Sequence, residues 1–521
     1  MDKNNRVTSN LIWRLLERFG AQGVTFLVSI ILARVLDPEI YGKIALITVI
    51  TSILQVFVDG GFSSALIQKK DADDMDFSTV FYFNLVICVV LYVGLFFLAP
   101  FISRFYEMDD LTPVIRVLGL VLIISGVKSV QISYVSRHLQ FKKFFFATLG
   151  GTIVAAGVGI WMAYSGYGVW ALVAQNLVNQ TIDTTILWII VKWKPKFVFS
   201  FQRLKKLFGF GWKMLASGLL DRTYYELRSL IIGKKYSSAD LAFYNKADQF
   251  PNLIATNVNA SIDSVLLPVM SNEQDDKERV KIMTRRAIKT TSFVLWPLMM
   301  GLAACSTALI SLLLTDKWLP AAPYMMIFCI TYGFYPIHTA NLNAIKAMGR
   351  SDIFLKLEVI KKIIGLSIIA VTMWFGVIWI ALGMIVASIA CQIINSWPNK
   401  KLLNYSYFEQ LKDILPSIAL SLLMGGVVYC INFLNLANWL TLLIQIHLAI
   451  IIYVLGAWLF KMESFTYCLN ILKGLLHRKK KVEVTQTAED IQNENDTAIE
   501  EIHKDTIIEI TEKANGEDGR D

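Results

Sequence analysis

Lys and Arg in this chain fall almost entirely on every second connection between about fourteen long apolar segments. That alternation restricts the fold to a polytopic membrane protein and fixes its orientation. A helix rising about 1.5 Å per residue needs about twenty apolar residues to cross the hydrocarbon core. The spacing predicts spans at 11–36, 44–67, 78–102, 114–136, 144–164, 167–191, 207–233, 241–270, 287–314, 321–345, 354–375, 377–397, 411–434 and 438–460. Even-numbered connections hold Lys69 and Lys70, then Arg137, Lys142 and Lys143, then a basic run from Lys192 to Lys206. The later ones hold Arg279, Lys281, Arg285 and Arg286, then Lys346, Arg350 and Lys356, then Lys400, Lys401 and Lys412. Odd-numbered connections carry Lys43, Arg104, Lys234, Lys235 and Lys317. The positive-inside rule then places both termini in the cytoplasm, as an even number of spans requires.

Composition excludes several other classes. Hydrophobic residues make up 55% of the 521 and charged residues 17%, outside the balance of a soluble domain. The net charge of +9 divides into −10 for the tail from Val482 onward and +19 for the body. The positive charge therefore sits in cytoplasmic loops, where it meets anionic headgroups, and nucleic acid is not an expected partner. The start is polar, and the first apolar segment is followed by many others with no small-residue cleavage site, so no cleavable signal is expected. The six cysteines are scattered through apolar segments without metal-ligand spacing, and neither a metal nor a cofactor is expected.

The basic connection around Lys192 to Lys206 separates two sets of six spans, giving an expected N-terminal lobe at 1–200 and a C-terminal lobe at 201–400. Two additional spans follow within 401–477 as an appendage. A basic run and an acidic, aromatic-free tail, expected to be disordered, occupy 478–521. The piece 201–208 is amphipathic and is expected at the cytoplasmic interface. Residues 31–43 and 231–246 occupy equivalent places in the two halves, each with a short polar turn just before Tyr41 or Tyr244. Paired lobes of this kind are a transporter plan.

Polar residues recur at helical intervals in the first two spans of each half. The stripes are Arg14, Arg18, Gln22, Thr25 and Ser29; Thr48, Ser52, Gln55 and Asp59; Ser217, Asp221, Tyr224 and Arg228; and Asn245, Gln249, Asn252, Thr256, Asn259 and Asp263. Such residues either face a central cavity or hydrogen-bond neighbouring helices together, and both readings stand for the amides. The cavity is favoured for the arginines, because an Arg is costlier to bury without an anion. His338 and Asn341 mark the tenth span, where a lone His is more often structural than a proton carrier. No G-x-x-x-x-G-K-[ST] sequence is present, and no outer loop exceeds about a dozen residues, which disfavours a nucleotide-driven pump and a membrane glycosyltransferase or polymerase.

The hairpin Ala33-Arg-Val-Leu-Asp-Pro-Glu-Ile-Tyr-Gly42, followed by Val58-Asp-Gly-Gly-Phe-Ser-Ser-Ala-Leu-Ile67, resembles the start of bacterial polysaccharide flippases of the Wzx type. These form a branch of the multidrug, oligosaccharidyl-lipid and polysaccharide exporter superfamily. Gly209-Phe-Gly-Trp-Lys213 and Leu241-Ala-Phe-Tyr-Asn-Lys-Ala247 add to the likeness, which covers about residues 8–475. The resemblance implies an all-α transporter with two six-helix lobes around a V-shaped cavity plus two extra helices. It also implies an inner-membrane flippase that carries undecaprenyl-diphosphate-linked oligosaccharide to the periplasmic leaflet. Its partners would be that lipid substrate, the surrounding lipids, and a polysaccharide polymerase and export machinery. On this reading Arg14, Arg18 and Arg228 are candidates for diphosphate contact, and Gln22, Gln55, Asn252 and Asn259 for sugar contact. Asp59, Asp221 and Asp263 are candidates for ion coupling. A multidrug exporter of the same superfamily is the alternative, and it would prefer an acidic, aromatic cavity.

Overall fold

The computed structural model describes residues 3–59, 61–69, 71–470 and 473, with side chains in the first helix given at Trp13 and from Gly20 onward. Among them every regular element is helical. The elements are α1 (Lys3–Val35), α2 (Pro38–Asp59), α3 (Phe62–Gln68), α4 (Asp74–Phe105), α5 (Leu111–Leu118), α6 (Leu120–Arg137), α7 (Phe141–Tyr164), α8 (Val169–Ile190) and α9 (Phe201–Lys235). They continue with α10 (Ser238–Asn272), α11 (Lys277–Ala304), α12 (Ser306–Leu314), α13 (Ala322–Gly333), α14 (Tyr335–Ala347), α15 (Ser351–Thr372), α16 (Val377–Leu403), α17 (Tyr407–Cys430) and α18 (Asn438–Leu459). The chain divides into two units between Ile452 and Tyr453, and the N-terminal unit holds the site that follows. The acidic tail expected beyond Lys481 lies outside the described residues.

Each expected span overlies one helix or two consecutive ones. Nine helices, among the described residues, are long and apolar enough to cross a membrane, and the chain is a multi-pass membrane protein. The shortfall from fourteen has a physical basis. α9 and α15 are interrupted by charge, α8 by the amides Gln175, Asn176, Asn179 and Gln180, and the span at 321–345 is broken into α13 and α14, with Pro336 in the first turn of the second; of α1 only Gly20–Val35 is counted. Backbone signals set the ends. Ser237 caps α10 and Ser406 caps α17, each exchanging hydrogen bonds with the acid three residues on, Asp240 and Glu409. Asp73 does the same for α4 with Asp76. The amphipathic piece 201–208 is continuous with the rest of α9, started by Ser200, whose hydroxyl accepts from the Arg203 amide.

Packing follows the polar pattern as well as the apolar one. α7 lies against α1 and α8, α4 against α6, α10 against α13 and α14, and α11 runs along α17. The segment expected as an appendage therefore contributes to the packing, with Tyr405 and Ile414 buried beside Ile288 and Ile337. Buried amides tie α14, α16 and α17 together. Asn341 Nδ2 donates to Gln410 Oε1 at 2.7 Å, and Asn399 Nδ2 donates to Asn341 Oδ1 at 2.6 Å. His338 is held between Ser388 Oγ at 3.3 Å and Asn395 Nδ2 at 3.2 Å, a structural setting. α2 packs along both α9 and α10, and this contact builds the site described next.

Candidate functional site

Tyr41, Ala45, Thr48, Ser52, Gln55 and Asp59 follow one another on α2 at three- and four-residue steps, so they share one face. Two cavities open onto that face and have Thr48 in common. One, of about 420 Å³, lies toward the Pro38 end of α2, and the other, of about 280 Å³, lies toward Asp59.

The larger cavity is walled by five tyrosines, Tyr41, Tyr225, Tyr244, Tyr332 and Tyr335, and holds Glu226, Arg228 and Asp248. Its two carboxylates already have partners. Tyr332 OH donates to Asp248 Oδ1 at 2.7 Å and Asn252 Nδ2 to Asp248 Oδ2 at 3.2 Å. Glu226 pairs with Arg222 at 2.7 Å and accepts from Ser52 Oγ at 3.3 Å, while Arg222 Nε donates to Ser52 Oγ at 3.1 Å. Arg228 differs. Its guanidinium lies 5.8 Å from the centre of the Tyr224 ring, and its Nε is buried without a hydrogen-bond partner. Arg228 is half-buried in the same cavity as Asp248 and keeps this donor to spare, which suits it to receive an anion.

In the smaller cavity Gln55 Nε2 donates to Asp59 Oδ1 at 3.3 Å, and Lys128 at the wall is paired with Asp183 at 2.5 Å. The triad of Ser52, Arg222 and Glu226 stands where the two cavities approach each other, because Ser52 lines the smaller and Glu226 the larger. Close backbone contacts bound the face at both ends. A Cβ on Gly42 would lie 1.7 Å from the Ser238 carbonyl oxygen at the start of α10, and one on Gly61 would lie 2.5 Å from that of Gly211 in α9. Near Gly42, Lys246 Nζ donates to Ser29 O at 3.1 Å and sits 5.0 Å from the Tyr41 ring centre. Trp318 Nε1 donates to Ala33 O at 2.8 Å.

Of the residues singled out in the sequence, Arg228 lines the larger cavity and Gln55 and Asp59 the smaller. Asn252 supports Asp248. Gln22 accepts from Asn257 Nδ2 at 3.3 Å, joining α1 to α10, and Asn259 accepts from Thr339 Oγ1 at 3.1 Å, joining α10 to α14. Asp221 is ion-paired with Lys362, and Asp263 is exposed. The side chains of Arg14 and Arg18 lie outside the described residues. Sequence reasoning passed over Glu226, Asp248, Tyr225 and Tyr332, and took Tyr41 and Tyr244 only as markers of the two hairpins. Asp248 is the residue after Leu241–Ala247, and the same helical spacing that picked out Asn245 and Gln249 brackets it.

A family model described as polysaccharide biosynthesis protein matches residues 31–323. The succinoglycan biosynthesis transport protein of Rhizobium meliloti is 24% identical over 67% of this chain and 70% of its own length. The teichuronic acid biosynthesis protein of Bacillus subtilis is 23% identical over 73% of this chain and 80% of its own. A lipopolysaccharide biosynthesis protein of Escherichia coli is 22% identical over 80% and 83%. In three dimensions the chain is similar to the lipid II flippase MurJ in an inward closed conformation, with a TM-score of 0.72 at 18% identity over 86% of this chain and 98% of that one. An inward-facing multidrug resistance transporter of the MATE family aligns with a TM-score of 0.57 at 15% identity over 76% and 99%. The chain shares their polytopic helical fold.

Proposed function

The chain belongs to the polysaccharide biosynthesis protein family, and we propose that it is a flippase for an undecaprenyl-diphosphate-linked oligosaccharide. Movement runs from the cytoplasmic to the periplasmic leaflet of a bacterial inner membrane, with both chain termini in the cytoplasm. The names of its relatives support the substrate class, since they concern biosynthesis of succinoglycan, teichuronic acid and lipopolysaccharide. The charge asymmetry of the loops supports the orientation. In the periplasm a polymerase and export machinery would consume the product.

The observation that carries the reading is Arg228, whose Nε is buried without a partner in a cavity where both carboxylates are already satisfied. A diphosphate supplies what that group lacks, and Arg14 and Arg18 of α1 are assigned to the same headgroup. Gln55 contributes a sugar contact, with Asn252 holding the Asp248 carboxylate in place. Gln22 and Asn259 act instead as fasteners between helices. Asp263 is the remaining candidate for ion coupling, Asp221 being committed to Lys362 and Asp59 lining the cavity beside Gln55. The division into lobes at 1–200 and 201–400 would let α2 and α9 separate at one end while staying together at the other.

A multidrug exporter has one feature in its favour, the acidic and tyrosine-rich lining around Arg228. Yet Asp248 and Glu226 are both occupied by protein donors, which leaves neither carboxylate free for a cationic drug. Reconstitution into vesicles decides between the two. Wild-type protein should expose lipid-linked oligosaccharide on the opposite leaflet and should not drive uptake of tetraphenylphosphonium. Arg228→Gln should lose a charge-assisted contact of about 1.5–3 kcal/mol and export far less. Full export by a stable Arg228→Gln variant would refute the assignment of this residue.

A further inference from the structure

Capture of a diphosphate by Arg228 leaves the cavity of about 280 Å³, where Gln55 stands, for the sugar part of the headgroup. Its volume is at the low end for ligand pockets, which run to about 300–1,000 Å³, so it has room for a single sugar ring rather than an oligosaccharide. Its lining is mixed. Leu118, Val121 and Ile132 supply apolar surface, suited to the C–H face of a pyranose, interspersed with hydroxyls and amides. Gln55, Asn176 and Gln180 each offer a carbonyl acceptor and amide donors, the combination that vicinal hydroxyls require.

The charges determine which sugar fits. Lys128 is the cation of this cavity, and it is already bound at 2.5 Å to Asp183, a carboxylate 6% exposed whose second oxygen has no partner. Asp59 accepts a long hydrogen bond of 3.3 Å from Gln55 and is exposed, with lone pairs free. Arg222, which reaches the lining residue Ser52, is committed to it and to Glu226. Asp183 stands behind Lys128 rather than in the lining and matches its charge, which leaves Asp59 as the lining charge without an ion-pair partner of its own. We propose that it is a subsite for one uncharged sugar of the transported headgroup, with Asp59 accepting from its hydroxyls and rejecting an acidic sugar by like-charge repulsion. Thr48 joins it to the cavity that takes the anionic linkage, so phosphate and sugar are recognised at neighbouring sites along α2. This inference rests on the flippase reading and adds a sugar selectivity to it.

The test uses the full chain in vesicles, with undecaprenyl diphosphate carrying either a single glucose or a single glucuronic acid. Movement is read as the fraction of sugar newly exposed to periodate applied on one side. Wild-type protein should move the glucose lipid faster than the glucuronic acid lipid by about tenfold or more, the factor that a modest like-charge repulsion supplies. Asp59→Asn should shrink that ratio toward one, and Gln180→Glu, which adds a second carboxylate, should widen it. An unchanged ratio in both folded variants, or a wild type that prefers glucuronic acid, would overturn the subsite. Movement of neither lipid by the wild type would overturn the flippase reading beneath it, so the two failures are distinguishable.

Discussion

A single methyl group separates a working contact from an impossible one at Gly42. A Cβ there would stand 1.7 Å from the backbone oxygen of Ser238, which cannot rotate away, so α2 and α10 would have to part. Gly42→Ala should lower thermal stability in detergent by about 1–3 kcal/mol, as overpacking does. Gly94 and Gly157, where a Cβ meets nothing within 4 Å, should accept Ala at little cost. Equal losses at all three would mean that helix propensity is not the issue and that the close approach carries no weight. Outside the membrane, Asp73 caps α4 and accepts from Arg203 at 2.5 Å, and that hydrogen bond, assisted by the Asp76 amide, holds its carboxyl down to about 2. A carboxyl depressed on folding contributes stability that is full above its unfolded value of about 3.9 and is lost as pH falls through the folded one. The contribution should therefore fade between about pH 4 and pH 2. In an unfolding series across that range, Arg203→Gln should lose stability at neutral pH and show a shallower acid decline. Parallel curves for the variant and the parent would rule the pair out as a contributor.

At the scale of elements, the end of α1 is held by donors from the second half of the chain that reach its backbone carbonyls. Lys246 takes Ser29 O and Trp318 takes Ala33 O. Trp318→Phe keeps most of the ring but leaves the Ala33 oxygen without this donor, and an unsatisfied buried acceptor costs about 1–3 kcal/mol. The variant should unfold at a lower temperature, and a cysteine placed at Ser29 should react faster with a soluble maleimide. An unaltered labelling rate would show that the contact does not close this end. The hairpins that meet here were legible in the sequence, because α1–α2 and α9–α10 each turn within two residues at places marked by Asp37-Pro38 and Ser237-Ser238. The cavities were legible only in part. A helical stripe tells which residues share a face, not what that face meets. Hence Gln55 and Arg228 reach cavities, while Gln22 and Asn259, on equally polar stripes, bind Asn257 and Thr339. Asp248 escaped notice because its setting is assembled from Asn252 of its own helix and from α2, α9, α13 and α14, far apart in the chain.

For the molecule as a whole, the direction of transport rests on which face of the membrane each loop occupies, and loop charge is the physical basis for assigning it. Moving a cluster such as Lys192, Lys194 and Lys196 across the bilayer is opposed during insertion, while Ser165 and Ala437 lie in connections with little positive charge. Single cysteines at Ser165 and Ala437, in a chain whose Cys391, Cys430 and Cys468 are replaced by Ser, should react with an impermeant maleimide added to intact cells. Cysteines at Lys194 and Lys401 should react only after permeabilisation. The background matters, since Cys430 is exposed and would otherwise label. Ser165, Lys194 and Ala437 flank α7, α8 and α18, and Lys401 lies in the last turn of α16, so an individual result cannot be absorbed by sliding one span. A reversed pattern at all four sites would place the termini outside, and the substrate would then have to travel the other way. Labelling of Ser165 with Ala437 protected would instead mean an odd number of crossings from α8 to α17, against the eight expected there.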